Sequence, residues 1–294
     1  MSRSETTHTA ERVIRPKQGI IGINFEELWR FRELFLFLSW RDVLIRYKQT
    51  AIGVLWVVLQ PLVNVVVFTV IFGRMANMDS NGAPYPLITL AAMIPWQMFS
   101  NAVGASSLSL ISSANLVTKI YFPRLIIPLS STLGTLVDSV IALLLLFIFM
   151  IGYVVRAKFG FLGADVNVGI HWQIVLIPLF FFYSLATAVA FGLWLSALNV
   201  KFRDVKYVIP FALRVAMLVS PVGYLTSEID ESYRFWYSLN PLVGVIDGFR
   251  WCVLGPDFPP YWPGMVVSVI VVGVLLISGA MFFRNTERKF ADII

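Results

Sequence analysis

Six stretches of this chain run almost free of charge: residues 51–73, 86–110, 129–155, 174–198, 207–225 and 265–283. Asp138 and Arg214 are the only ionisable acid or base inside them. A helix needs roughly 20 mostly apolar residues to cross the hydrocarbon of a bilayer. At that depth every backbone polar group must find its partner within the protein. These runs therefore predict an all-α integral membrane protein with six transmembrane helices. The 58% hydrophobic and 14% charged composition removes it from the soluble class.

Sorting the basic residues by alternate connections sets the orientation. Of the 23 Lys and Arg, 17 fall on the side of the N-terminal segment and five on the other, with Arg214 inside a span. The positive-inside rule then places both termini in the cytoplasm. The net charge of +6 comes from short loops, with no single basic patch to suggest a nucleic-acid partner. Residues 1–23 are polar and read as a disordered cytoplasmic tail without an assigned role. They lack the apolar core of a cleavable signal peptide, so the first span is expected to direct insertion. Residues 24–294 read as one membrane domain, without repeats or linkers.

Chemistry is sparse. Cys252 has no second cysteine, and His8 and His171 are too scattered to build a metal site with it. No Gly-Lys dipeptide occurs, so the chain has no P-loop and does not hydrolyse ATP alone. Signatures of zinc peptidases, α/β-hydrolases and glycosidases are missing too, and no catalytic residue or metal ligand is assigned. Asp138 and Arg214 stand out as intramembrane charges: they could pair across the bundle, take part in a conformational cycle, or touch substrate.

Four further stretches carry local signals. From Asn24, a capping-box-like start with Glu27 opens an amphipathic helix to about Ser39, in which Glu26, Arg30 and Glu33 share the charged side and Glu26–Arg30 is an i,i+4 pair, with Glu26, Glu27, Arg30 and Arg32 as its candidate interface residues. Such a helix suits the headgroup plane. In Trp40 to Pro61 a basic segment with Arg41, Arg46 and Lys48 runs directly into the first span; these cations either anchor it or attract an anionic headgroup. The connection Ile111 to Pro128 carries Lys119 and Arg124 around an apolar tip, Tyr121 and Phe122, and Pro123 stops a helix there. Leu239 to Gly255 is too short to cross twice and too apolar for a solvated loop, so short re-entrant outer helices are expected between spans five and six. Aromatic residues toward the outer ends, among them Trp96, Phe99, Tyr224 and Trp251, suit a headgroup belt, and a subset could stack on sugar rings.

Five segments in order resemble one family: RYKQTAIGVLWVVLQPL (46–62), KIYFPRLIIPLS (119–130), NVKFRDVKYVIPFALR (199–214), SPVGYL (220–225) and NPLVGVIDGFR (240–250). They are similar to the type-2 ABC-transporter permeases that export O-antigen, capsule and teichoic acid. The resemblance implies a homodimeric permease of six-span subunits in the bacterial inner membrane, each subunit binding a separate cytoplasmic ATPase that carries ATP and Mg. It implies that 24–39 is an interface helix. Residues 112–123 would include the coupling helix, with Ser113, Asn115, Lys119, Tyr121, Phe122 and Arg124 as coupling residues. Arg41, Arg46 and Lys48 would form the lip over which a lipid pyrophosphate enters. Trp96, Phe99, Tyr224, Asn240, Arg250 and Trp251 would serve the channel or its gate. The implied substrate is an undecaprenyl-pyrophosphate-linked polysaccharide moved outward. The rival readings are a permease of the same architecture for a lipid, a drug or teichoic acid, and a non-transporting membrane protein of glycan assembly.

Overall fold

The computed structural model describes residues 25–48, 53–78, 80–159, 169–287 and 290. The tail read as disordered lies outside them, as do Asn24, Arg288 and Lys289. Among the described residues the fold is helical throughout, with no strand.

The chain opens with α1 (Phe25–Arg30) and α2 (Arg32–Tyr47), separated only at Phe31. The amphipathic segment therefore runs about two turns further than the sequence suggested, absorbing the basic stretch to Tyr47 with Lys48 as its C-cap. Leu28, Phe31, Leu34, Phe35 and the buried Leu38 turn inward, while Trp29, Phe37, Trp40 and Ile45 are exposed. Both faces being apolar fits a helix that lies along a membrane surface and packs sideways on a bundle. The expected Glu26–Arg30 pair forms at 3.0 Å, and the Arg32 guanidinium sits 5.5 Å from the Trp29 ring centre.

Next come α3 (Gly53–Phe68), continued by a wider helical turn over Thr69–Met75, and α4 (Tyr85–Ser112). A short α5 (Ala114–Lys119) follows, then α6 (Ile126–Gly134) and α7 (Leu136–Lys158). The second half is α8 (Ile177–Lys201), α9 (Val205–Val219), α10 (Glu231–Tyr237), α11 (Pro241–Leu254) and α12 (Trp262–Glu287).

The central helix is α4, packed on α8 above all and also on α6, α7 and α11. Close approach to α8 depends on Gly192, where an added Cβ would sit 2.5 Å from Ser106 Oγ. Three clusters stack along this axis. One, near the start of α4, joins Leu87, Ile88 and Phe249. The middle one joins Met93, Phe99 and Ile246. The last joins Leu110, Phe122, Val200 and Phe283.

Four segments are long and apolar enough to cross a membrane: 55–75, 126–157, 172–201 and 262–287. The chain is thus a multi-pass membrane protein. Two of the six expected spans fall outside this set for different reasons. Helix α4 is long enough, but Gln97, Ser100, Asn101 and a run of serines lower its hydropathy. Because most of α4 is covered by protein, it has no need to match lipid. Helix α9 has only 15 residues, about 22 Å of helix.

Helix α11 is not a span either. Every residue except Trp251 is buried, against α4, α8 and α12. Gly248 permits this packing, since a Cβ there would meet the Phe180 ring at 1.9 Å. The helix is capped by Asn240, whose side chain accepts from the Leu242 N–H at 3.1 Å. Asp230 caps α10 in the same way, and the backbone N–H of Ser232 holds its carboxyl below the usual range.

Candidate functional site

Helices α3, α4 and α9 diverge to leave a cleft of about 320 Å³. Helical spacing explains its lining. Gln60 and Asn64 lie one turn apart on α3, Gln97 and Asn101 one turn apart on α4, and Lys206, Pro210 and Arg214 follow at the same interval on α9. Ser100, Ser107 and Trp96 share the wall with Gly104 and the apolar Met93, Leu108, Ile209, Leu213 and Met217. A smaller pocket of about 40 Å³ shares Gln60, Gln97 and Asn101 and reaches Asp138 and Ser139 on α7. Gln97 Nε2 is buried without a partner among the described residues. Amides and hydroxyls both donate and accept, so this wall can exchange hydrogen bonds with a polyhydroxylated chain.

The residues expected at the channel or gate divide. Trp96 lines the cleft. Phe99, one turn on, is buried and meets the Phe191 ring edge-on at 5.5 Å. The other four sit at the α11 end, away from the cleft. Arg250 is 2% exposed and donates to the carbonyls of Tyr224 (2.8 Å), Val222 (3.0 Å) and Ile88 (3.4 Å). It staples α11 to the 220–226 turn and to α4. Asp247, one helical step away, accepts from Thr226 Oγ1 at 2.9 Å. Asn240 also donates to Ser220 Oγ at 3.0 Å. The Tyr224 hydroxyl meets that of Tyr237 at 2.8 Å, and Trp251 packs edge-on against Trp172 and Trp262.

Asp138 does not pair with Arg214. Its carboxylate is bound by Arg46 and by the Tyr47 hydroxyl at the end of α2. A second clasp lies one turn earlier: Ser131 Oγ donates to Asp42 at 3.0 Å, and Asp42 also pairs with Arg41 at 2.9 Å. Gly134 lets α2 come this close, since a Cβ there would lie 3.2 Å from that of Asp42. Of the three cations expected at the lipid lip, Arg41 and Arg46 thus have carboxylate partners, and Lys48 is exposed.

The coupling segment is split by burial. Ser113 ends α4, Val117 and Phe122 are anchored in the adjoining core, and Asn115, Lys119 and Tyr121 are exposed. Arg124 faces inward. Its backbone N–H donates to Glu287 Oε1 at 3.2 Å, its guanidinium donates to the Glu287 carbonyl at 2.9 Å, and it stands 5.9 Å from the Phe290 ring centre.

The ABC-2 type transporter family matches residues 33–254, about three-quarters of the chain. The chain belongs to that family. Among its relatives is the O-antigen export system permease protein RfbA of Myxococcus xanthus, 28% identical over 270 residues, covering 91% of this chain and 98% of that protein. An RfbA of the same description from Klebsiella pneumoniae is 24% identical over 263 residues, 89% and 95% of the two chains. The polysialic acid transport protein KpsM of Escherichia coli is 23% identical over 249 residues, 84% and 91%. The matched span of the ABC-2 type transporter family takes in α2 through α11, and so includes the whole cleft.

Proposed function

We propose that this chain is the transmembrane subunit of an ATP-driven exporter that moves polysaccharide of the O-antigen kind, lipid-linked, across the bacterial inner membrane. The observation that carries the reading is the cleft between α3, α4 and α9, where amides and hydroxyls at helical spacing alternate with apolar side chains. A sugar hydroxyl stripped of water costs kilocalories unless a partner replaces it. Gln60, Asn64, Gln97, Ser100 and Asn101 supply those partners, and the apolar Met93, Leu108, Leu213 and Met217 among them suit the apolar face of a ring. The family and the relatives' names point the same way. In this reading the chain works as a homodimer of six-span subunits with both termini in the cytoplasm, α4 and α9 serving as spans inside the assembly. A separate ATPase docks on the exposed side of α5, where Asn115, Lys119 and Tyr121 stand clear.

The test is a deletion strain complemented with wild type or with the Gln97→Leu/Asn101→Leu variant. Loss of surface glycan with accumulation of the lipid-linked precursor is expected in both the deletion and the variant. The variant should still co-purify with its ATPase. Unchanged surface glycan in the deletion strain would sink the reading. Precursor failing to form at all would favour a role in glycan assembly.

A further inference from the structure

We infer that the cleft selects an anionic group on what passes through it, and that Arg214 is the residue that reads the charge; this rests on the export reading above. Lys206 and Arg214 lie eight positions apart on one face of α9, about 12 Å along its axis, and both line the cleft. The cleft's own lining includes no Asp or Glu. Asp138, the carboxylate in the adjoining pocket, already has its charge met by Arg46 and Tyr47. No carboxylate pairs with Arg214 among the described residues.

The depth matters. Lys206 stands at the first turn of α9, where a lysine is ordinary positive-inside anchoring. Arg214 is two turns deeper, at the level of Leu213 and Met217, and an arginine at such a position marks a substrate path more often than an anchor. Its guanidinium fits a phosphate or a carboxylate bidentately. Two sources share this chemistry: the pyrophosphate of a lipid carrier, and uronate, sialate or phosphate groups on the glycan itself.

The charge can be measured without transport. Cys252 is fully buried, so the wild-type chain gives a silent background for thiol labelling. A Ser100→Cys variant places a thiol in the cleft wall, to be labelled in the detergent-purified full chain with an anionic and a cationic methanethiosulfonate. In the Ser100→Cys background, Arg214→Gln should lower the anionic-to-cationic rate ratio by about twofold or more, and Arg214→Lys should restore it. A smaller change overturns the inference. Labelling is then repeated with inorganic pyrophosphate, a glucuronate oligomer or neutral maltohexaose. Protection by pyrophosphate alone assigns the anion to the carrier, and protection by the glucuronate oligomer assigns it to the glycan. Equal protection by maltohexaose, or protection by neither charged probe, overturns the inference. The export reading fails separately, by normal surface glycan in the deletion strain whatever the labelling shows.

Discussion

Replacing Arg250 with Ala should cost the chain far more stability than any gating role would predict. The guanidinium is 2% exposed and satisfies three carbonyls, two at good distance and the Ile88 contact at 3.4 Å. A hydrogen bond to a charged group contributes about 1.5–3 kcal/mol net, so the two short bonds together contribute about 3–6 kcal/mol. Truncation also leaves the Val222 and Tyr224 carbonyls without their donor and removes the positive charge closest in sequence to the buried Asp247. A loss of about 4 kcal/mol shifts the midpoint of a chain this size by about 8–16 °C. Thermal unfolding of the detergent-purified protein, followed by loss of the monodisperse peak in size-exclusion chromatography, measures it. Arg250→Lys, which keeps the charge but not the fork, should recover less than half of the loss. A midpoint within about 3 °C of wild type for Arg250→Ala would refute the stapling argument and return the residue to a role in the pore.

Four other outcomes are expected. Gly248→Ala forces a methyl into the Phe180 ring and should destabilise by about 1–3 kcal/mol, whereas Gly104→Ala, with open space around the new carbon, should be neutral by the same thermal assay. Asp138→Asn removes the anchor of Arg46 and Tyr47 and should expose the end of α2 to limited proteolysis while the size-exclusion profile stays unchanged; equal cleavage rates would count against the clasp. Lys119→Glu and Tyr121→Ala should weaken co-purification of the ATPase without moving the melting midpoint. Arg124→Ala should destabilise by about 1–3 kcal/mol in the same assay, because its guanidinium holds the Glu287 carbonyl at the end of α12 while the backbone N–H bond to Glu287 survives.

How much of this could be read from the residues depends on the range of the interaction. The cleft wall was legible in principle: 60 and 64, and 97 and 101, are amides at helical spacing inside otherwise apolar runs, a pattern that aromatic residues drew attention away from. Phe99 and Trp96 look equivalent by composition, and they pack together in one core cluster with ring centres 5.8 Å apart, Trp96 alone reaching the edge of the cleft. The partner of Asp138 was not legible. Arg46 lies 92 positions away, and the pairing exists because α2 folds back along α6 to the first turn of α7, with Gly134 admitting it. Arg250 counted as an outer-loop cation because its acceptors are backbone carbonyls, which every sequence contains everywhere. The spans were found by their hydropathy where they face outward. At α4 the hydropathy signal falls because protein takes the place of lipid.

That last helix has a consequence for how the chain is made. Helix α4 is complete at Ser112, but α8, which covers its serine-bearing side through Gly192 against Ser106 and Asn199 on the Ser107 carbonyl, ends only at Lys201. At about 5–20 residues per second of synthesis, α4 waits roughly 5–20 s for its main neighbour. During that interval Ser106 and Ser107, buried in the finished fold, lack that cover. The protein therefore depends on the insertion machinery retaining an early helix until a late one arrives, and variants that slow translation between the two should lower membrane yield without altering the finished fold.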